Sequence, residues 1–310
     1  MSEALPERRT ADGDTTRAHP RRLRGLVTGV LPGVKSRLQG RDLALIAAGL
    51  TFYAGIAIVP LLVLAFGLTA WLTSPERVHE LGARLGDLLP DELGAPAAVT
   101  RLVDAGAGLD PLGALLALLP MSLYGEGLRR ALLRFGTRHE GMTGWRGRLG
   151  ALPLLLLAPV LLYPLLLAAS LMADLADRGG AAATVGQVAV GYYSVLAALT
   201  VPLAWGFRVV GGGRVRWPAL LAGALFTAAC LSGFLQGFVL FQALPLDLGA
   251  PFGGLVVVGG VVAVGLWLFA LHLVVLLGWL VTQSLDERWH GPSARARPGR
   301  QAPDPDPELR

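Results

Sequence analysis

Apolar residues in this chain fall in long unbroken runs rather than in alternation. Leu43–Leu72, Leu149–Ala173, Gly179–Phe207 and Trp217–Leu246 contain no Asp, Glu, Lys or Arg. A helix rises about 1.5 Å per residue and the hydrocarbon of a bilayer is about 30 Å thick, so about 20 apolar residues make one crossing. Each run is long enough. Two further crossings take more argument. The apolar stretch Leu112–Tyr124 is short, but a helix over 109–129 reaches full length with Asp110 and Arg129 at opposite interfaces. The 38 residues from Leu248 to Leu285 are also free of these charges, and Gly249, Pro251, Gly253 and Gly254 mark their start as irregular. Two spans and a turn would barely fit there. One span over 256–280, after an apolar loop or re-entrant segment at 248–255, is the better reading. The pattern therefore predicts an all-α fold, a polytopic integral membrane bundle of six transmembrane helices. They lie at about 43–72, 109–129, 149–173, 181–207, 217–246 and 256–280.

Composition agrees, since only 16% of the 310 residues are charged, against roughly a quarter in a soluble domain. The basic residues set the orientation. Segments 1–42, 126–148, 208–216 and 286–310 hold 23 of them, and 73–111 with 174–178 hold 4. Loops rich in Lys and Arg stay in the cytoplasm, so both termini are expected inside. The Arg-rich arm 1–42 and the Pro-rich tail 286–310 carry too little apolar surface to fold and read as disordered. Between the first two spans, Leu81, Leu85, Leu88 and Leu89 recur at helical spacing among Glu80, Arg84, Asp87 and Asp91. An amphipathic extracytoplasmic helix is expected there. The net charge of +5 sits at the membrane edges, so the expected partner is the lipid bilayer and not nucleic acid.

No enzyme constellation is legible. The five histidines are scattered, Cys230 is the single cysteine, and no HExxH, GxSxG or P-loop pattern occurs. Neither an enzyme nor a bound cofactor or metal is expected. Polar groups inside spans are costly, so they are the candidates for function. His272 lies midway along the last span, either as a proton relay or as a donor to a neighbouring helix. Gln236 lies within Gly233–Gly237, a small-residue spacing that lets helices approach closely. It is expected to hydrogen-bond across that contact. Pro60 removes one backbone bond of the first span, with Thr51 and Tyr53 a few turns earlier. Glu126 has Arg129 and Arg130 in the next turn and Tyr124 beside it. These nine residues form a candidate polar pathway.

A resemblance now carries weight. The run 47–62, AAGLTFYAGIAIVPLL, resembles the opening signature of the YihY/BrkB family of bacterial inner-membrane proteins. Leu128–Leu132, Arg214–Trp217 with Gly223, Leu266–Leu268 and Leu276–Gly278 resemble its later segments in order. The resemblance implies six helices, a location in the bacterial cytoplasmic (inner) membrane, and a role in envelope integrity or in moving an envelope component. Members have carried a ribonuclease label, for which this chain shows no metal-ligand set. It departs where the family follows its last-span Gly with Ala-Glu, because Trp279 and Leu280 follow Gly278 here. The usual Tyr-Gly before the last span reads Phe252-Gly253. Three functions follow: a transporter or flippase of an amphipathic envelope substrate such as a lipid, a non-catalytic scaffold for envelope assembly, and, remotely, a membrane-bound hydrolase or ribonuclease. A homo-oligomer is compatible with each.

Overall fold

The computed structural model describes residues 30–87, 94–136, 161, 163–212, 215–242, 244 and 247–290, and there is no strand among them. In chain order the helices are α1 (30–38), α2 (Leu43–Leu72), α3 (Pro75–Gly86), α4 (Ala95–Ala107), α5 (Pro111–Arg134), α6 (163–178), α7 (Ala181–Trp205), α8 (Trp217–Gln242) and α9 (Val256–His290). Helix α7 runs on through a π turn at Gly206–Val210, and a short 3₁₀ turn at Ala250–Phe252 precedes α9. Helices α2, α5, α7 with its π turn, α8 and α9 are each long and apolar enough to cross a membrane. The chain is thus a multi-pass helical membrane bundle. Of the expected third span, 149–160 and Leu162 lie outside the described residues, and the remainder is helical as far as Arg178.

Local chemistry sets the helix starts. Asp42 accepts from the Leu45 amide at the head of α2 (3.0 Å), and Asp110 from the Gly113 amide at the head of α5 (2.7 Å), ahead of Pro111. These are side-chain caps for amides that have no partner within the helix. The second span consequently reads Pro111–Arg134 rather than 109–129. At one end of the bundle Ala47, Leu50, Leu132, Phe135, Phe207, Val210, Leu220, Leu276 and Leu280 form one buried core. That core collects the start of α2, the end of α5, the π turn, the start of α8 and the end of α9. It is the end that bears Arg37, Arg41, Arg130, Arg134, Arg208 and Arg216, and is called the basic end below. At the opposite end Phe66 and Ala70 of α2 pack with Val78 and Leu81 of α3, Val103 of α4 and Leu166 of α6, which forms a cap.

Two expected boundaries shift. Residues 30–38, assigned to a disordered arm, are helical. Val30, Val34 and Leu38, one helical turn apart, give α1 an apolar stripe that lies on the basic-end core, a stripe the arginine density hides. Arg37 fastens it, reaching the Gln283 amide oxygen, the Glu287 carboxylate and the Phe135 carbonyl (3.4 Å). Helix α9 runs past 280 to His290 for the same reason, and Asp286 there accepts from the Arg216 amide at the head of α8 (3.1 Å). Residues 1–29 and 291–310 lie outside the description. The stretch 248–255 is a tight turn: Asp247 accepts from the Gly249 and Ala250 amides (2.9 and 3.2 Å), and the Leu248 carbonyl lies against Gly259 at the start of α9. It folds back against the start of α9.

The close helix contact is also displaced. Gly233 has open space around its Cα, and Gly237 faces only the Trp267 ring. Phe234, Phe238 and Phe241 surround Trp267 there, with centroids 5.1–6.0 Å away, and hold α8 and α9 apart. The seam lies nearer the basic end. A Cβ on Gly223 would fall 1.9 Å from Thr282 Oγ1, and one on Gly278 would fall 2.0 Å from Thr227 Oγ1. Thr227 donates to the Gly223 carbonyl and Thr282 to the Gly278 carbonyl, each at 2.7 Å. Each helix therefore presents Gly-x-x-x-Thr. Because the helices are antiparallel, each threonine sits in the other's glycine notch, with its hydroxyl turned back onto its own backbone.

In the cap, α3 opens on Ser74, which accepts from the Arg77 amide (3.2 Å). One turn in, the His79 ring lies between two acceptors, the Pro75 carbonyl at Nδ1 (2.7 Å) and the Asp104 carboxylate of α4 at Nε2 (3.0 Å). Only an imidazolium donates to both. These bonds, the Pro75 carbonyl first and Asp104 next, raise the His79 pKa above its ordinary 6.5. The bridge is then complete below that ordinary value and is lost as pH rises through the raised one. Amide hydrogen exchange in α4 should therefore quicken from about pH 5.5 to about pH 8.5 beyond the intrinsic base dependence. In His79→Ala the exchange should be fast at both, and an α4 equally protected at both pH values in the native chain contradicts the bridge.

Candidate functional site

Helices α2, α5 and α9 meet in mid-bilayer, and three candidate residues meet with them. His272 of α9 is 5% exposed. Its Nδ1 lies 2.7 Å from the Leu268 carbonyl one turn back and 3.3 Å from Thr51 Oγ1 of α2, and its Nε2 lies 3.2 Å from the Tyr124 hydroxyl of α5. Thr51 gives its own proton to the Ala47 carbonyl (2.9 Å), so toward His272 it acts as an acceptor. The network closes with one neutral tautomer: Nδ1–H donates to Leu268 and in part to Thr51, and Nε2 accepts from Tyr124. The tautomer follows from the partners' chemistry. The Tyr124 and His272 rings also meet edge to face, with centroids 5.8 Å apart. A neutral, fully bonded histidine is tolerable in lipid where a charged one is not. The group clasps three helices together.

Glu126, two residues after Tyr124, leaves α5 from another face and is nonetheless buried, its side chain 10% exposed. Arg130 Nε donates to Oε1 at 2.7 Å. The four-residue step sets this pair on one helix face. The Arg130 side chain is 56% exposed, which leaves the pair half in and half out of the protein. The other carboxylate oxygen, Oε2, is sealed from solvent and finds no hydrogen-bond partner among the described residues. This is the costly part of the arrangement, since a buried acceptor left unmade costs about 1–3 kcal/mol, and more when charged.

The remaining candidates lie around these groups or away from them. Tyr53 lies against Gly127, where an added Cβ would come within 2.7 Å of its ring, so it fixes the α2–α5 packing two residues from Thr51. Helix α2 runs unbroken through Pro60, and the carbonyl this frees belongs to Ile56, which is exposed on the membrane-facing side. Gln236 is elsewhere: its amide abuts Gly191 of α7, and it makes no hydrogen bond among the described residues. It does not join His272, and the contact expected around it is not formed. Where the family resemblance raised an Ala-Glu expectation, Trp279 and Leu280 are 2% and 0% exposed. The Trp279 indole donates to the Leu132 carbonyl (3.0 Å) and its ring packs on Phe207, so this place ties α9 to α5 by packing and one hydrogen bond.

One feature had no signal in the spacing of polar residues. Between α6 and α7 lies a groove of about 690 Å³, with Pro164, Leu165 and Leu171 on one wall and Tyr193, Ser194 and Ala197 on the other. A scan for polar residues inside spans passes over it because its walls are almost wholly apolar. Among the described residues no three His, Cys, Asp or Glu side chains gather as a metal site would require.

Compared with known proteins, residues 34–304 match the family model described as "Virulence factor BrkB". No curated protein and no solved structure matches the chain.

Proposed function

We propose, from the premise that the chain belongs to the virulence factor BrkB family, that it moves an amphipathic envelope molecule, a lipid, across the bacterial inner membrane. In this reading the basic end faces the cytoplasm, both termini lie on that side, and the α3–α4 cap lies outside. The protein acts by changing helix contacts rather than by catalysing a reaction. Glu126 is the observation that carries the reading. A bundle that only anchors or scaffolds gains nothing from a buried carboxylate in a membrane-crossing helix with one oxygen unsatisfied among the described residues, and such groups inside membranes mark pathways. A polar headgroup crossing hydrocarbon needs a polar step of this kind.

The test is reconstitution of the full chain into liposomes with a fluorescent phospholipid, following the fraction that an impermeant quencher reaches. The native protein should expose inner-leaflet probe well above the rate of protein-free vesicles. In cells, a cysteine at Thr100 should react with an impermeant thiol reagent, while one at Ser36 should not. Vesicles that move no lipid with a monodisperse, folded protein favour the scaffold reading, which the closed, fully bonded clasp at His272 supports.

A further inference from the structure

We infer that the α6–α7 groove is a phospholipid-binding site, taking one acyl chain along its apolar walls and the headgroup region at Tyr193 and Ser194. The headgroup contact rests on the transport reading, while binding of the acyl chain along the walls does not. Three observations carry it. The groove, about 690 Å³, has the size of a small-molecule site. It opens on a surface that already faces lipid, because Val185, Val188 and Val201 of α7 are 69%, 54% and 49% exposed on a helix that crosses the bilayer. Whatever fills it without passing through water comes from the membrane, and its walls offer nothing to a soluble, charged ligand.

The third observation is the pair of hydroxyls. Tyr192 and Tyr193 are neighbours with their rings edge to face, 5.3 Å apart, yet they turn to different places. Tyr192 donates to the Ala229 carbonyl of α8 (3.3 Å) and is spent on packing. Tyr193 is 65% exposed toward the groove side, and its hydroxyl has no hydrogen-bond partner among the described residues. Ser194 follows it on the same wall. Both lie near the middle of α7, where a lipid resting in either leaflet has only methylene groups. Hydroxyls at that depth are useful to ester or phosphate oxygens that are passing through, and a bare phenol there otherwise faces hydrocarbon at a cost. Small side chains on the α7 wall, with Ala197 one turn beyond Tyr193, leave room for the chain beside them.

The experiment places a photoreactive benzoylphenylalanine at Val190 in the groove wall and, separately, at Val257 on the open lipid face of α9, 80% exposed. The full-length protein is reconstituted with a trace of alkyne-tagged phosphatidylethanolamine and titrated with unlabelled phospholipid. A binding site predicts crosslinking at Val190 that survives a detergent wash and saturates, against non-saturable labelling at Val257. Ala197→Trp, which fills the groove, should cut the Val190 crosslink by about tenfold, the effect of about 1.4 kcal/mol. Tyr193→Phe should weaken it several-fold with no change at Val257. If Ala197→Trp fails to fold, Leu165→Trp fills the groove from the other wall. Equal, non-saturable labelling at both positions, or a Val190 crosslink indifferent to both fillers, overturns the site. Lipid movement is read separately. Native protein that crosslinks at Val190 but moves no lipid keeps the site and removes the transport reading. Protein that moves lipid at full rate with the groove filled keeps transport and removes the headgroup contact at Tyr193 and Ser194.

Discussion

Gly223→Ala should strip the protein from the membrane fraction, although it adds a single methyl group. The new Cβ would stand 1.9 Å from Thr282 Oγ1 and 2.7 Å from its Cβ, inside any contact distance, and Thr282 cannot turn aside because its hydroxyl is bonded to the Gly278 carbonyl. Helices α8 and α9 must therefore separate along the seam. That opens the reciprocal notch where Thr227 sits on Gly278, so one methyl group disturbs both halves of the contact. Overpacking a well-filled core costs 1–3 kcal/mol, and the upper end, about 3 kcal/mol, is expected here. Gly278→Ala should do the same. The decisive variant is the double substitution Gly223→Ala with Thr282→Gly, which moves the bulk from one side of the seam to the other. It should recover most of the lost abundance and thermal stability, while Thr282→Gly alone recovers none because it has nothing to relieve. Blotting of membranes and unfolding in detergent measure this. Wild-type abundance of Gly223→Ala would show that the helices do not meet at this notch.

For Glu126→Gln the expected result is a protein at least as stable as the native one and far less active. Oε2 is buried with no hydrogen-bond partner among the described residues, so an amide in its place removes a desolvated charge, and Arg130, already more than half exposed, returns to solvent at little cost. The melting temperature in detergent should hold or rise. Lipid movement should fall by at least about tenfold, the scale of one charge-assisted hydrogen bond of about 1.5 kcal/mol or more. A scaffold role for Glu126 predicts the opposite pairing, with function intact and stability changed. Arg130→Ala separates the partners further. It takes the partner from Oε1 beside an Oε2 that has none among the described residues, and should cost both stability and transport. If Glu126→Gln moves lipid at the native rate, Glu126 only sets the depth of α5.

Long charge-free runs made the spans legible, because nothing in a soluble protein calls for thirty residues such as Leu43–Leu72 without a charge. Glu126 and His272 could be picked out for the same reason, as exceptions to that pattern. Sequence could not say that His272 would meet Thr51 and Tyr124 while Gln236 would not. That depends on which helix faces meet, and residues hundreds of positions apart settle it. The α8–α9 seam carries no pair of glycines on one helix to mark it. A threonine that folds its hydroxyl onto its own helix is, to a neighbour, another small apolar residue, and the bulky ring of Trp267 decides that Gly233 and Gly237 stay apart. Helix α1 was hidden by arginines that read as solvated arm, although Arg37 is spent on α9. The groove carried no polar signal at all, since a cavity among apolar side chains is a matter of shape.

The bond between α1 and α9 also orders assembly in time. Arg37 is made early on the ribosome, but Gln283 and Glu287 follow it by 246 and 250 residues. Spans that emerge first can insert and pair locally, and α2 against α5 needs nothing from the far end of the chain. Helix α1 can rest its stripe on α2 and α5 once those have paired, and Arg37 can reach the Phe135 carbonyl, but its two side-chain partners come only with the last span. The tie that completes this end therefore joins the first and last described helices, and a copy halted before Gln283 would lack it.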